Sequence, residues 1–500
     1  MHSVNYDRLF EDSLDALLAR GHEVRVAFDR HKIRSDADTA IFAAIRAREP
    51  GLTYGPAPPR IHTVWPLVSR GLRADRDYLR YLEPAFAAAA PLRARARERA
   101  HGLVAALAAA PGLRSTGGRR FLARTLGLLD RAVPLDPSVL EFVRDAAPDV
   151  VIVTPLVNFG SPQDDYVRAA RALGFPVVLA VASWDNLTNK GLVREPPDLT
   201  LVWNELQKRE AVTLHSLPPD RVVVTGAHSY DHWFGWRPSS ARDDFAQRVG
   251  FARGRPFVLY VGSSSFIAPE EPTHFRHWLE RLRGAQAAEL REVDVLVRPH
   301  PTNSAGWDEA GLEELGARVW PPAGERLRAD ESKAGYFDSL HHSRAVVGLN
   351  TSALIEAAIV GRPVLTLVED STAERQVGTL HFGYIADGLL RVAHSWEEHT
   401  HQLLDALEHG ADGREAAFVA SFVRPHGSDR PAAEFFVDAV ESALLLRPER
   451  RANRTAAAPL RPVLTALALP IATRQARKRT LRRLRHARLG VRAVLRRLSS

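Results

Sequence analysis

One rhythm, sounded twice, constrains this chain most: short apolar β-branched runs separated by helix-length stretches. VVIVT (150–154), VVLAV (177–181), LTLV (199–202) and RVVVT (221–225) form one set. FVLYVG (257–262), VDVLVR (293–298), AVVGL (345–349) and PVLTLV (363–368) form the other. Runs that are apolar throughout, rather than alternating, suit strands buried on both faces, as in a parallel sheet covered by helices. Between the sets, residues 232–255 hold Gly235, Pro238, two serines and Gly254, and the rhythm pauses. The expectation is an α/β protein of two doubly wound domains, 1–235 and 250–425, whose strand C-termini face a shared cleft. Helices around 396–408 and 431–446 should end the fold, with 426–450 crossing back to the first domain.

Leu9, Phe10, Leu14, Leu17 and Leu18 recur at helical spacing, Gly21 suits a helix C-cap, and Val24 to Phe28 reads as a buried strand. In a parallel-sheet domain a strand normally precedes such a helix. A first strand ahead of residue 1 is therefore expected, an expectation to be dropped if the native protein begins at Met1. Residues 75–145 are rich in Ala, Arg and Leu and predict a helical insertion broken at Pro84, Pro111 and Pro134.

The chain has no Cys, which excludes disulfides, thiolate catalysis and Cys-ligated metal centres. Acidic residues interrupt the N-terminal apolar positions, unlike a secretory signal, so a cytoplasmic protein is expected. The formal charge of +8 misleads. Residues 451–500 carry 14 Lys or Arg and no acid; 67 basic residues less these 14 leaves 53 against 59 acidic, a net of −6 for the body. That argues against nucleic acid as a partner. In the tail, Leu481, Leu484, Val491, Leu495 and Leu498 lie near one helical face, so 473–500 reads either as an amphipathic helix on an anionic membrane surface or as a disordered basic tail. The apolar run 455–472 is too broken by prolines to span a bilayer.

Residues 345–367 place a polar turn, Asn350-Thr351-Ser352, between a strand and a helix that should end at Gly361. Asn350 can cap that helix, whose N-terminus would attract phosphate, with Glu356 one turn inside. Well-capped units of this kind are also common without a ligand.

This segment resembles the nucleotide-binding half of GT-B-type glycosyltransferases, especially CDP-glycerol glycerophosphotransferases and related surface-polysaccharide transferases, with UDP-N-acetylglucosamine 2-epimerases as more distant relatives. VVVTGAHSYDHWF (222–234), FVLYVGSSS (257–265) and VLVRPHP (295–301) resemble further family segments in the expected order. The resemblance implies two Rossmann-like domains in a GT-B arrangement. It implies a donor site in which Gly262, Ser263 and Ser264 line the diphosphate, with Arg298 and His300 at the cleft mouth. Asn350, Thr351 and Ser352 would hold phosphate and Glu356 the ribose. Glu374, Arg375, Gln376 and His381, from EDSTAERQVGTLHF (369–382), would be further donor contacts in a loop after the strand.

Such a group of donors can stabilise a nucleoside diphosphate leaving group without metal. No Asp-x-Asp occurs in the second domain, and Asp75-Arg76-Asp77 reads as a solvated helix face. No metal and no cofactor beyond the nucleotide-activated sugar, a substrate, are expected. His300 is a catalytic candidate, expected to contact phosphate rather than act as base. In ASWDNLTNKG (182–191), Asp185 is the candidate base for an acceptor hydroxyl and Trp184 either stacks on a sugar or fills the core. Asn186 and Lys190 join it, and Asn158, Ser161 and Gln163 follow the preceding strand. Arg424 and His426 should fix the domain crossing.

The implied activity is transfer of a sugar, or a glycerol phosphate-like group, from a nucleotide donor to a glycan or lipid-linked acceptor in surface-polysaccharide or glycoconjugate assembly, with the enzyme peripheral to the inner membrane face if the tail binds lipid. A nucleotide-sugar 2-epimerase and a non-catalytic binding module are the alternatives. The helical insertion favours transfer, which needs a surface for an acceptor.

Overall fold

A computed structural model describes residues 1, 7–29, 39–61, 64–307, 310–322, 329–446, 458–462, 464–466 and 468. The predicted amphipathic segment 473–500 lies outside these residues. Among the described residues no helix is long and apolar enough to cross a membrane.

The described residues form twelve strands: β1 (Val24–Phe28), β2 (Leu52–Pro56), β3 (Val151–Val153), β4 (Val177–Ala180), β5 (Leu199–Val202), β6 (Val222–Val224), β7 (Phe257–Val261), β8 (Asp294–Arg298), β9 (Ala317–Val319), β10 (Ala345–Gly348), β11 (Val364–Leu367) and β12 (Arg391–Ala393). The uniformly apolar runs behave as expected: β4, β5, β7, β10 and β11 are buried along their whole length. All pairings are parallel. The second sheet has the order β12-β11-β10-β7-β8-β9, in which its first strand, β7, lies in the middle between β8 and β10. That is the doubly wound order, with its switch point at the C-terminal ends of β7 and β10. The first domain holds two separate parallel ladders, β1-β2 and β3-β4-β5-β6.

The helix Asp7–Ala19 buries Phe10, Leu14, Leu17 and Leu18 against Val26 and Phe28. The helix Ala432–Ala443 returns to the same core with Phe436, Val437 and Val440, and Arg20 pairs with Asp438 and Glu441 at 2.8 and 2.9 Å. Arg424 fixes this return by its 2.6 Å ion pair to Asp231 and its position 3.9 Å over the Phe234 ring, and His426 Nε2 lies 2.9 Å from the Val224 carbonyl.

The insertion comprises helices Trp65–Arg80, Ala90–Arg97, Gly102–Ala109, Thr116–Ala132 and Pro137–Ala146. Here the expectation of a solvated Asp75-Arg76-Asp77 fails: Asp75 and Asp77 are buried. Asp77 accepts backbone N–H groups of Gly160 (2.9 Å) and Leu192 (2.8 Å) and pairs with Arg194. Asp75 accepts from the His101 backbone at 2.7 Å. Arg73, Asp77 and Arg80 recur on one helical face, and that face is the one turned inward. Arg73 reaches Asp130 at 3.1 Å and Asp165 at 2.7 Å, and Arg194 reaches Asp164 at 2.7 Å. A buried ionic network therefore clamps the insertion to the loops after β3 and β4.

The two domains share a core seam in which Trp184, Trp203, Tyr230 and Trp233 pack with Phe337, Phe382, Phe418 and Phe422. The Ala227 N–H donates to the Val423 carbonyl (2.8 Å) and Asn204 Nδ2 to that of Phe422 (2.9 Å).

Candidate active site

The C-terminal ends of β7, β8 and β10 converge as a switch point requires. Gly262 has no room for a side chain: a Cβ there would meet the His300 nitrogen at 2.8 Å and Pro299 Cα at 3.2 Å. Its absence lets the β7 and β8 ends meet, with the Gly262 N–H donating to the Arg298 carbonyl at 2.9 Å.

Ser263 is fully buried and internally committed. Its N–H donates to both oxygens of Glu271, 2.9 and 2.8 Å away, and its hydroxyl accepts from the Asn350 N–H at 3.3 Å. Its expected contact with a diphosphate is thus spent within the protein. Glu271, which the sequence reading missed, is buried beside the Tyr260 hydroxyl (3.2 Å), and burial pushes its pKa up to about 8 against the pull of its hydrogen bonds. The acidic residue opening the helix after a Gly-Ser turn was the available signal. Ser264 is half-buried and its hydroxyl makes no hydrogen bond among the described residues.

Arg298 has a different character. It is buried, its guanidinium stacks 5.2 Å from the Tyr336 ring centre, and no carboxylate pairs with it among the described residues. Its Nη1 is enclosed without a hydrogen-bond partner. Burial lowers its pKa to about 10. Two residues on, His300 is half-buried, and its Nδ1 accepts from the Thr302 N–H at 3.1 Å. A backbone N–H can only donate, so neutral His300 must carry its proton on Nε2. Burial lowers its pKa and favours that neutral form. Neutral His300 is therefore left with Nε2–H as its hydrogen-bond donor.

The turn after β10 departs from expectation. The helix starts at Ala353, its N-cap is Ser352, and no side chain caps it. Asn350 is drawn away instead, donating to the Gln376 carbonyl (2.9 Å) and the Thr379 hydroxyl (2.8 Å). The Thr351 and Ser352 hydroxyls make no side-chain hydrogen bond among the described residues. Glu356 accepts from the Tyr336 hydroxyl, and burial raises its pKa. Tyr336 thus joins Arg298 to Glu356, a link invisible in sequence. The stretch expected as a donor loop forms a helix, Asp370–Val377. On it Glu374 and Arg375 are exposed, while Gln376 points inward and is satisfied by the Thr366 hydroxyl at 2.8 Å and that of Thr372 at 3.0 Å.

Across the cleft, Asp185 is held by Asn186 Nδ2 (3.1 Å), Asn189 Nδ2 (3.0 Å) and, at 3.9 Å, Lys190 Nζ. Burial works to raise its pKa, but Lys190, His381 and hydrogen bonds from Ser183 and Asn189 outweigh it and hold the carboxylate well below the usual range. Trp184 packs edge-on against His381, ring centres 4.6 Å apart, inside the domain seam. His381 itself is buried 3.4 Å from the Thr188 hydroxyl, its pKa lowered to about 4 by burial despite Asp185. Asn186 serves the turn, accepting from the Ala182 N–H at 3.3 Å. Gln163 is likewise structural, bonded to the Leu156 N–H and the Thr154 carbonyl, and Ser161 gives its carbonyl to Arg73.

Asn158 and Lys190 share the wall of a cavity of about 1710 Å³, to which Arg95 and Arg99 of the insertion also contribute. Asn158 Nδ2 is buried there without a partner. Arg95 lies 4.1 Å over the ring of Phe266 in the second domain, so the insertion closes one side of the cleft. Tyr230, whose hydroxyl is kept protonated by burial and then by the charges of Glu356 and Asp185, stands where the two halves of the site meet. No hydrogen bond or ion pair joins Asp185 to His300 among the described residues. The second missed group is Glu210, buried beside the Tyr384 hydroxyl of the other domain; burial and the charge of Asp185 push its pKa up to about 8.

No family model matches the chain, and no curated protein matches it in sequence. Solved structures do. A protein assigned as a UDP-N-acetylglucosamine 2-epimerase from Listeria monocytogenes superposes with a TM-score of 0.50 at 13% identity, over 90% of this chain and 96% of that one. The UDP-GlcNAc 2-epimerase from Neisseria meningitidis bound to UDP-GlcNAc gives 0.49 at 11% identity, over 88% and 98%. WaaG, a glycosyltransferase involved in lipopolysaccharide biosynthesis, gives 0.43 at 13% identity, over 89% and 96%. At such identities the likeness concerns architecture alone: the chain has the two-domain α/β fold of the Listeria monocytogenes protein.

Proposed function

We propose that this protein is a metal-independent glycosyltransferase that takes a sugar, or a glycerol phosphate-like group, from a nucleoside diphosphate donor to an acceptor hydroxyl. The observation that carries this reading is Arg298: a buried guanidinium with no carboxylate partner among the described residues and an enclosed, unpartnered Nη1. Burying an unpaired charge costs several kcal/mol, a cost that a bound anion removes. The Nε2–H of His300 and the hydroxyls of Ser264, Thr351 and Ser352 would be the further donors, carried by the segments that follow β8, β7 and β10. Together they would gather the charge that builds on a departing nucleoside diphosphate when a sugar moves, or on a nucleoside monophosphate when the glycerol phosphate-like group moves with the distal phosphate.

Glu356, turned toward the domain seam, is the candidate for the ribose hydroxyls. Asp185 is the carboxylate on the acceptor side. Its depressed pKa suits it to orient an acceptor hydroxyl and steady developing positive charge more than to hold a proton. Asn158 and Lys190 would contact the acceptor, and the insertion supplies the surface on which it lies.

Calorimetry with UDP, CDP, GDP, TDP and CMP tests the reading, comparing the natural protein with Arg298→Met. One nucleoside diphosphate should bind selectively, and the variant should lose it. Absence of binding by folded protein would retire the proposal, and epimerisation of a bound donor without acceptor, followed by NMR, would replace transfer with isomerisation.

A further inference from the structure

We infer that the outer face of the helical insertion is a docking surface for an anionic lipid membrane. Its apolar part comes from two consecutive helices, Gly102–Ala109 and Thr116–Ala132. They supply four of the eight large apolar side chains that stand exposed among the described residues: Leu103 (71% exposed), Leu107 (37%), Phe121 (65%) and Leu128 (49%). Helical spacing gathers these positions into a face on each helix. Leu103, Ala106 and Leu107 share the outward side of the first, while Val104, Ala105 and Ala108 are buried on the other. On the second, Arg120, Phe121, Arg124, Leu128 and Arg131 recur at helical spacing and are exposed, with Leu122 and Leu126 turned into the core that Val104 and Ala108 also fill. The loop between the helices packs so closely that a Cβ at Gly118 would meet Leu113 Cα at 2.6 Å, which keeps the two faces adjacent. Single exposed apolar residues are ordinary, but a group of them on neighbouring outward faces marks an interaction site.

Charge names the partner. Residues 90–135 contain nine Arg and two acids, Glu98 and Asp130. Asp130 is buried against Arg73, which leaves Glu98 to face the arginines outside. Among the described residues no ion pair holds Arg114, Arg120 or Arg124, while Arg131 lies 4.0 Å from Glu195. Arginines interleaved with Leu and Phe suit the boundary of an anionic bilayer, where guanidinium groups take lipid phosphates and apolar side chains sink among the acyl chains. A nucleic acid would engage the arginines and leave the leucines in water. A second copy meeting the same face would set arginine near arginine with no row of carboxylates to answer them.

The path of the chain points the same way. Leu464 and Ala468 are buried with Val68, Ala132 and Val133 at the C-terminal end of the helix Thr116–Ala132, and Arg461 Nε donates to the Ala132 carbonyl at 3.3 Å. The chain therefore continues past Ala468 from beside this helix, and residues 469–500 hold eleven Lys or Arg and no acid. Like charge opposes their covering the face themselves and adds to its attraction for anionic lipid. The face itself consists of insertion residues and is distinct from that segment. Because the insertion also closes one side of the cleft, through Arg95 over Phe266, docking would bring the cleft to the lipid surface.

Two measurements on the full chain test this. The first is co-sedimentation with vesicles of phosphatidylcholine alone and of phosphatidylcholine with phosphatidylglycerol in equal parts. The parent should bind the anionic vesicles and be released by high salt. Arg120→Gln with Arg124→Gln should weaken that binding about 30-fold, and Phe121→Ser with Leu128→Ser at least about tenfold. The second uses the absence of Cys: Leu107→Cys or Leu128→Cys carries a single polarity-sensitive dye, whose emission should shift to the blue on anionic vesicles, while the same dye at exposed Glu408→Cys in the second domain should not respond. Binding of both vesicle types alike, or of neither, overturns the inference. So do variants that bind as the parent does, and so does binding with a silent dye at 107 and 128, which would place the contact elsewhere in the chain. A dimer that Phe121→Ser with Leu128→Ser abolishes would give the face to a second copy and overturn it too. Nucleotide binding at Arg298 is read separately, so failure here leaves the donor-site proposal standing.

Discussion

Replacing Arg298 by Met should move stability and binding in opposite directions. In the ligand-free protein the guanidinium is buried without a carboxylate among the described residues, and its pKa of about 10 stands below the ordinary 12.5. At about 1.4 kcal/mol per pKa unit, that is roughly 3 kcal/mol against the charged form. Met keeps the apolar stem and discards the charge, but also gives up the stacking on Tyr336, worth about 1 kcal/mol. The ligand-free variant should therefore gain about 1–2 kcal/mol, raising the melting temperature of the second domain by roughly 2–6 °C. The nucleoside diphosphate, deprived of its charged partner, should bind about 100-fold more weakly, the consequence of losing roughly 3 kcal/mol. Scanning calorimetry with and without nucleotide reads both quantities on one sample. A variant that melts earlier than the parent and keeps its nucleotide response would show that the charge is compensated within the protein, and the anion-site reasoning would fail.

Three further outcomes follow from the same contacts. Glu271 has a folded pKa of about 8, above its ordinary 4.5, so the stability it contributes is full below about pH 4.5 and is lost as pH rises through 8; Glu271→Gln should flatten that alkaline decline by about 2–4 kcal/mol in urea titrations from pH 5 to 9, and an unchanged slope would place the titration elsewhere. Asp77→Ala should cost about 3–5 kcal/mol by leaving Arg194 short of a partner and two backbone N–H groups unmet, read as a lower urea midpoint; a loss under 1 kcal/mol would show that water takes over the site. His300→Gln, which can still donate, should keep most of the nucleotide affinity that His300→Ala loses, with affinity of the parent flat between about pH 6.5 and 8; a parent affinity rising steeply toward acid would mean that the imidazolium binds.

The strands were legible because burial on both faces leaves a uniform apolar run, and β4, β5, β7, β10 and β11 carry that mark without exception. The placement of the candidate site was legible where it is local: Arg298 and His300 stand at a strand end whose position the run itself dictates. It was illegible where partners come from afar. Asn350 looked like a cap because its neighbours suit one, yet its amide is claimed by Gln376 and Thr379, more than twenty residues on. Asp77 looked solvated because charge ordinarily is, and only the loops that close over it 83 and 115 residues away show otherwise. Gln376 and Trp184 took inward positions for the same reason, since nothing in their own segments names the surface they face.

Arg80 and Tyr81 carry a consequence for how the Asp185 side of the cleft can vary. From the end of the first insertion helix, Arg80 donates to the carbonyls of Lys190 and Gly191 at 3.0 and 2.9 Å and to that of Leu187, and the Tyr81 hydroxyl donates to those of Thr188 and Lys190. The segment bearing Asp185 and Lys190 is thus cast against the insertion as against a mould, its backbone held by side chains that belong to another part of the chain. Grafting a different insertion onto this scaffold would release the segment it shapes. Under the proposed transfer reaction, acceptor preference should pass between related proteins as a block, residues 65–146 together with 182–194, and a chimera exchanging either alone should lose the cleft it was meant to remodel.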